Sequence, residues 1–193
     1  IPIESVHVSM LELLKAPFEG LAQDVTEENI QSRIRGTLLM SLANKFNALL
    51  LNTGNKSEYA VGYCTMYGDM CGAVSVIGDL TKKEVYALSR YMKLPQSIIE
   101  KEPSAELKPN QKDSDYLPPY SILDQIVSSY IEDDLSPSEI AEKLHLSVDY
   151  VVEWCDKIDR ADFKRMQAPP ILKVSRKSLS FGRSFPIVKH IHT

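Results

Sequence analysis

The polar turn Thr53–Glu58 holds the residue types in this chain that are best suited to chemistry. It follows an apolar run, Leu49–Leu51, that predicts a buried strand. A hydroxyl, a lysine and a carboxylate at the carboxyl end of a strand are typical of corners that bind phosphates and a metal. Glu58 suits Mg²⁺, which takes only one or two protein carboxylates. The alternative, in which Glu58 and Thr53 merely stabilise the start of the next helix, stays open.

Two further groups of side chains favour an anionic ligand. Lys82 and Lys83 fall in the first turn of a predicted helix, where a cation opposes the helix dipole and would strengthen a phosphate site. Asn29 and Arg33 lie four residues apart on one flank of an earlier helix, and an arginine fork beside an amide suits a carboxylate or phosphate. Solvated lysines and an arginine bound to an acidic loop are the alternatives.

The elements that must position these residues alternate helix, strand and helix, which predicts an α/β sheet. Ile3–Val8 is expected to end a strand-to-helix connection, and Met10–Lys15 to form a short helix. A longer helix is expected from Thr26 as its N-cap. Its apolar stripe recurs every four residues, at Ile30, Ile34, Leu38, Leu42 and Phe46.

The second half of the chain is predicted to be mainly helical. A Thr81/Glu84 capping box opens one helix, which Lys93–Pro95 closes. A proline-punctuated loop then covers residues 101–119. Three helices are expected over roughly 119–132, 137–145 and 148–160, the second opened by a capping box at Ser136–Glu139, and a final extended tail follows.

The segment Ser136–Ile158 has the spacing of a helix-turn-helix. Its expected core positions are Ile140, Ala141, Leu144, Val148 and Val152. Five acidic residues and only two lysines lie in this segment. A protein that binds duplex DNA must neutralise phosphates with cationic side chains. The charge therefore argues against DNA binding and favours an interaction or covering helix pair.

Composition and charge limit the class of protein. No apolar run approaches the roughly 20 residues that a membrane span needs, and the N-terminus lacks the pattern of a signal peptide and an initiator methionine. The chain is therefore expected to be cut from something longer. Three cysteines form no disulfide framework, which predicts reduced thiols in a cytoplasm. The net charge is +7 beyond Asp162 and −11 up to that residue. Two interpretations of the basic tail stay open: it docks on an acidic face of its own body or of a partner subunit, or its side chains contact an anionic ligand.

Six motifs extend over nearly the whole chain: T-E-E-N-I-Q-S-R-I-R-G (26–36), T-G-N-K-S-E-Y-A-V-G-Y (53–63), Y-G-D-M (67–70), P-S-A-E-L-K-P-N-Q-K-D (103–113), D-Y-L-P-P-Y (115–120) and F-K-R-M-Q-A-P-P (163–170). In this order and spacing the chain closely resembles the synthetase domain of the NAD⁺ synthetases, specifically the glutamine-dependent form.

The resemblance implies an incomplete adenine-nucleotide α-hydrolase-like fold, a Rossmann-like parallel sheet with helices on both faces. Residues 1–118 would form the α/β part, 119–162 a helical segment and 163–193 an extended basic tail. It also implies a ligase reaction. Mg-ATP adenylates the carboxylate of nicotinic acid adenine dinucleotide (deamido-NAD), and ammonia from a glutaminase domain absent from this chain displaces AMP to give NAD⁺.

Carried over position by position, the resemblance implies two groups of site residues. The group that contacts ATP is Thr53, Lys82 and Ser104. The group that holds deamido-NAD is Asn29, Arg33, Glu58 and Lys164. Glu58 would also be the Mg²⁺ ligand.

Two departures from the family pattern matter. Met66 and Ala73 stand where the simpler ammonia-dependent enzymes carry a substrate-binding lysine and aspartate, which favours the glutamine-dependent branch. The family's pyrophosphate-binding loop, S-G-G-x-D-S, does not occur in the sequence. The chain alone is therefore expected to have little synthetase activity, and an exposed sheet edge to favour a homodimer or a higher oligomer. A non-catalytic nucleotide-binding or scaffold module is the alternative.

Overall fold

A computed structural model describes residues 1–179 of the chain. Two short strands and a set of helices follow one another in the order α1 Glu4–Leu14, α2 Val25–Lys45, β1 Leu51–Asn52, α3 Lys56–Val61, β2 Val74–Ser75, α4 Lys82–Tyr91, α5 Gln96–Ile99, a 3₁₀ turn Asp113–Asp115, α6 Tyr120–Ile131, α7 Pro137–Leu144, α8 Val148–Arg160 and α9 Asp162–Arg165.

The sheet is small and parallel. Leu51 pairs with Val74 and Asn52 with Ser75, and Ser75 also forms a parallel bridge to Ile171 near the C-terminus. The prediction of a buried strand over Leu49–Leu51 is wrong, because Leu49 and Leu51 are 67% and 51% exposed. The described sheet has only two strands, so these leucines stay in contact with solvent. Asn52 is the buried residue of the strand.

The hydrophobic core lies where α3, α6, α7 and α8 pack together. Its fully buried large side chains include Leu123, Ile126, Ile131, Ile140, Val151 and Ile158. The three predicted helices over 119–160 are confirmed as α6, α7 and α8. The predicted helix-turn-helix core is only partly correct, because Val148 and Val152 are exposed. The face of α8 that turns inward carries Trp154 and Cys155 instead, since α3 and α6 pack against it.

Local signals fixed most helix starts. Both predicted capping boxes are confirmed, at Thr81/Glu84 for α4 and at Ser136/Glu139 for α7. The predicted Thr26 cap is wrong, since the Asp24 side chain accepts a bond from the Thr26 amide and α2 starts at Val25. The expected connection over Ile3–Val8 is also wrong, because helix α1 already starts at Glu4.

The apolar stripe of α2 is buried only in its first half. Ile30 and Ile34 are buried, whereas Leu42 is exposed and Phe46 is 71% exposed. A stripe shows which face of a helix is apolar, but burial requires another element to pack on it. No helix within residues 1–179 is both long and apolar enough to cross a membrane.

Two residues in the described part of the basic tail contact acidic side chains of the body, in line with the first of the two alternatives. Arg176 bonds the Asp133 carboxylate at 2.5 Å, and Lys177 pairs with Asp134. Arg183 and Lys189 of the same tail lie outside the described residues. The division of the chain at residues 118 and 162 stays a prediction.

Candidate functional site

The turn after β1 is built by Asn55 rather than by Thr53. The Asn55 side chain accepts a bond from the Glu58 amide, and the Glu58 carboxylate accepts one from the Asn55 amide, which makes a capping box for α3. Thr53 is exposed and takes no part in this cap. Thr53 therefore does not cap the helix, and that part of the alternative is wrong. Glu58 does stabilise the helix start, as the alternative states. Its other carboxylate oxygen faces Lys82.

Lys56 of the same turn points away from the site. It is fully buried, and its ammonium bonds Asp79 at 3.2 Å, Glu132 at 2.8 Å and the Ser175 hydroxyl at 2.9 Å. The lysine of the turn therefore takes no part in the polar corner that the sequence predicts after β1. A buried ammonium needs compensating carboxylates, and here these come from β2–α4 and α6.

Side chains from other helices bind the first amides of α4, which explains how two lysines can lie in its first turn. The Lys82 amide donates to the Ser57 hydroxyl at 2.9 Å, and the Lys83 amide donates to the Asp124 carboxylate at 2.8 Å. Ser57 in turn donates to Asp124 at 2.5 Å. An aspartate thus already fills the anion position of this helix start, so these two amides are not available to a phosphate.

The Lys82 side chain instead reaches Glu58. Its ammonium lies 3.2 Å from the Glu58 carboxylate and 5.1 Å from the centre of the Tyr120 ring. Burial raises the pKa of Glu58, although the Lys82 charge opposes this shift. The pair is largely shielded from solvent, so it forms the polar floor of a cleft.

That cleft has a volume of about 600 Å³. Three separate segments bring four of the predicted site residues to its wall, namely Thr53, Glu58, Lys82 and Ser104. The segment with Ser104 is fastened over the cleft because Arg35 and Gln31 of α2 donate to the carbonyls of Glu106 and Leu107.

More acids than cations line the cleft. The cations are Arg35, Lys82 and Lys101, and the acids are Glu58, Asp69, Glu102, Glu106 and Asp113. Within residues 1–179, no three His, Cys, Asp or Glu side chains gather into a ready-made metal site. A metal here would need ligands from a bound phosphate besides a single carboxylate, which is how Mg²⁺ is commonly held.

The other three predicted residues meet on the adjacent loop 62–66 rather than in the cleft. Asn29 accepts a bond from the Thr65 hydroxyl at 2.7 Å. Arg33 donates to the carbonyl of Met66 at 3.3 Å, and not to an acidic loop. Lys164 donates to two carbonyls of the loop, at 2.8 and 2.9 Å. Helix α2 and the C-terminal region therefore hold one loop from two sides.

Sequence reasoning missed three side chains of the cleft wall: Tyr63, Asp69 and Asp113. Burial and the Asp113 carboxylate raise the pKa of Tyr63, so its phenol stays protonated. Asp113 also accepts a bond from Tyr120 at 2.7 Å. All three lie inside the motifs that carry the family resemblance, and their presence in those motifs could have identified them as site residues.

The family of this chain follows from its match to a protein-family model. The model described as NAD synthase matches residues 1–168. The chain belongs to the NAD synthase family. It is 44% identical, over its full length, to a glutamine-dependent NAD(+) synthetase of Synechocystis, of which it covers 35%. The chain thus spans about a third of the length of such NAD synthase relatives.

Solved structures of NAD synthase relatives support the fold class. A glutamine-dependent NAD(+) synthetase from Cytophaga hutchinsonii is 25% identical and superposes with a TM-score of 0.72 over 97% of this chain and 32% of its own. One from Acinetobacter baumannii in complex with ADP is 37% identical, with a TM-score of 0.51 over 96% of this chain and 34% of its own. The chain thus has an incomplete Rossmann-like adenine-nucleotide α-hydrolase fold, with a small parallel sheet and helices.

Proposed function

We propose that this chain is part of a glutamine-dependent NAD⁺ synthetase, an ATP-dependent ligase that amidates deamido-NAD. The observation that carries the proposal is the meeting of Thr53, Glu58, Lys82 and Ser104 in one cleft. These residues come from three segments, and the cleft volume suits a nucleotide. The ADP complex of the Acinetobacter baumannii relative supports a nucleotide at this fold.

In this proposal the two ligands divide the site. ATP lies against Thr53, Lys82 and Ser104, with the Lys82 ammonium compensating charge that develops as pyrophosphate leaves. Deamido-NAD lies against Glu58 and the loop that Asn29, Arg33 and Lys164 support. The nicotinate carboxylate attacks the α-phosphorus of ATP and releases pyrophosphate, and ammonia derived from glutamine by another part of the parent protein then displaces AMP.

Magnesium fits the acidic lining of this cleft. Glu58 would hold it, together with the phosphates of ATP, and it would supply positive charge to the triphosphate. The other acids of the lining are engaged elsewhere. Asp69 accepts bonds from the Thr65 amide and the Ser32 hydroxyl, and Asp113 accepts one from Tyr120. Glu102 pairs with Lys112 and Glu106 with Lys101. The chain's own contribution is therefore a single carboxylate beside a lysine.

A titration of the chain with Mg-ATP tests the ATP site. We expect saturable binding that Lys82→Ala weakens strongly without abolishing it, because Lys82 is the only cation in the proposed ATP contacts. Lys83→Ala is the matched control, since Lys83 is the next residue on the same helix and is exposed. Equal losses from both variants, or no ATP binding, would contradict the proposal.

The second ligand is tested by titration with deamido-NAD, in which Arg33→Ala should weaken binding. The chain alone, given ATP, ammonia and deamido-NAD, is expected to form no NAD⁺, because the S-G-G-x-D-S motif is not among its residues. Robust NAD⁺ formation would refute that expectation. Binding of ATP with no affinity for deamido-NAD would favour the scaffold alternative.

The proposed assembly is a homodimer or a higher homo-oligomer. Exposed apolar side chains on the second half of α2 support it, since such patches commonly mark interfaces. Light scattering at increasing concentration tests it, and a mass that stays monomeric would count against it.

A further inference from the structure

Ser57 and Asp124 form a buried polar pair beside the cleft but outside its wall. Both side chains are almost completely inaccessible to solvent. The Ser57 hydroxyl donates to one Asp124 oxygen at 2.5 Å, while the other oxygen accepts a bond from the Lys83 amide at 2.8 Å. The pair therefore joins α3, α4 and α6 at a single point.

The pair sets the place where α4 begins. Ser57 also accepts the Lys82 amide at 2.9 Å, so the first two amides of α4 are both held by this pair. The Thr81/Glu84 capping box secures the helix locally, but it does not fix the helix relative to α3. Bonds to other elements help to fix that relation. Ser57 and Asp124 supply two of them, and the Lys56 amide supplies another by donating to the Leu80 carbonyl at 2.8 Å.

The same pair places Lys82 opposite Glu58. Glu58 follows Ser57 directly on α3, and Lys82 is the residue whose amide Ser57 binds. The Asp124 carboxyl group, whose pKa burial raises, also accepts a bond at the start of α4, and as a carboxylate it compensates the helix dipole that Lys82 opposes. The position of Lys82 therefore depends on Asp124 and Ser57.

We propose that Asp124, acting with Ser57, is the positioning residue that aims Lys82 at the nucleotide and at Glu58. It touches no ligand itself and acts through Lys82. This inference rests on the proposed function for its ligand, whereas the placement of Lys82 is a property of the free chain. The two can therefore be tested separately.

A double-mutant cycle on ATP affinity tests the link to the ligand. We expect Asp124→Asn to weaken Mg-ATP binding roughly tenfold in the wild-type background, and to have little further effect when Lys82→Met is already present. Glu139→Gln is the matched control, because it removes a capping carboxylate from α7, away from the cleft. Equal losses in both backgrounds would show a merely structural effect and overturn the proposal.

Competitive acetylation of lysines tests the placement without any ligand. Lys82 should react slowly in the wild-type chain, because Glu58 pairs with it, and its reactivity relative to the exposed Lys45 should rise in Asp124→Asn. Ser57→Ala serves as the second variant if Asp124→Asn does not fold. An unchanged ratio in the folded variant would overturn the proposal. A rise in the ratio without any ATP binding would support the positioning and contradict the proposed function.

Discussion

The helical core around α6 and the outer face of α2 both carry apolar side chains, but these differ in burial. Ile126 on α6 has no exposed surface, whereas Phe46 at the end of α2 is 71% exposed. Phe46 ends the regular apolar stripe of α2. The difference arises because α3, α7 and α8 pack around α6, whereas α1 is the main helix that contacts α2. An apolar stripe therefore predicts a face but not its partner.

Polar groups differ between these two regions in the same way. The core region contains the Lys56 cluster, in which a buried ammonium joins α3, α6 and the C-terminal segment. Arg35 and Gln31 of α2 bind only the carbonyls of a loop. Substitutions should therefore be costly in the core region and mild on the outer half of α2.

The largest effect is expected for Lys56→Ala. Removal of the ammonium leaves the buried Asp79 carboxylate and Glu132 without their cation, which should cost about 3–5 kcal/mol in the free energy of unfolding. Urea unfolding measures it, with the exposed Lys83→Ala as the control. A loss of less than 1 kcal/mol would show that the cluster relaxes or admits water.

Truncation of an apolar side chain should separate the two regions directly. Ile126→Ala is expected to lower the free energy of unfolding by about 2–5 kcal/mol, because it leaves a cavity in a closed core. Phe46→Ala should change it by no more than about 0.5 kcal/mol, since its ring is already in water. Urea unfolding of the two variants gives the comparison, and similar losses would contradict it.

Helix caps should act alike in both regions, because they depend on local sequence. Ser136→Ala at α7 and Asp24→Ala at α2 should each cost about 0.5–2 kcal/mol. Thr26→Ala should be close to neutral, because only its backbone amide takes part in the cap. If thermal unfolding showed a larger loss of stability for Thr26→Ala than for Asp24→Ala, Thr26 rather than Asp24 would be the N-cap of α2.

The smallest effect is expected at the C-terminal segment in acid. Burial alone would raise the pKa of Asp79, but bonds from the Ser175 and Val174 amides, the Ser175 hydroxyl and Lys56 lower it overall. A carboxyl group with a lowered pKa in the folded state stabilises that state above its ordinary pKa of 3.8, and this contribution is lost as the pH falls through the folded value.

Hydrogen exchange should therefore show that the Val174 and Ser175 amides lose protection below pH 3.8 while the amides of α6 keep theirs. Exchange rates are corrected for their intrinsic dependence on pH. Simultaneous loss of protection in both places would mean that the C-terminal segment does not open separately from the core.

Some features followed from local sequence alone. The capping boxes of α4 and α7, the three helices after residue 119 and the position of Glu58 in the first turn of α3 were predicted correctly. Each depends on residues three or four positions apart. Thr53, Glu58 and Ser104, which line the cleft, lie in the motifs that carry the family resemblance.

Other features were decided only by tertiary structure. The sequence could not reveal that Lys56 turns inward, because its partners lie 76 and 119 residues away at Glu132 and Ser175. Nor could it reveal that Asp124, from α6, occupies the start of α4. Local spacing determines helices, caps and the polar turn, since these are short-range interactions. Burial and the direction of a charge depend on distant segments, and only the folded chain brings these together.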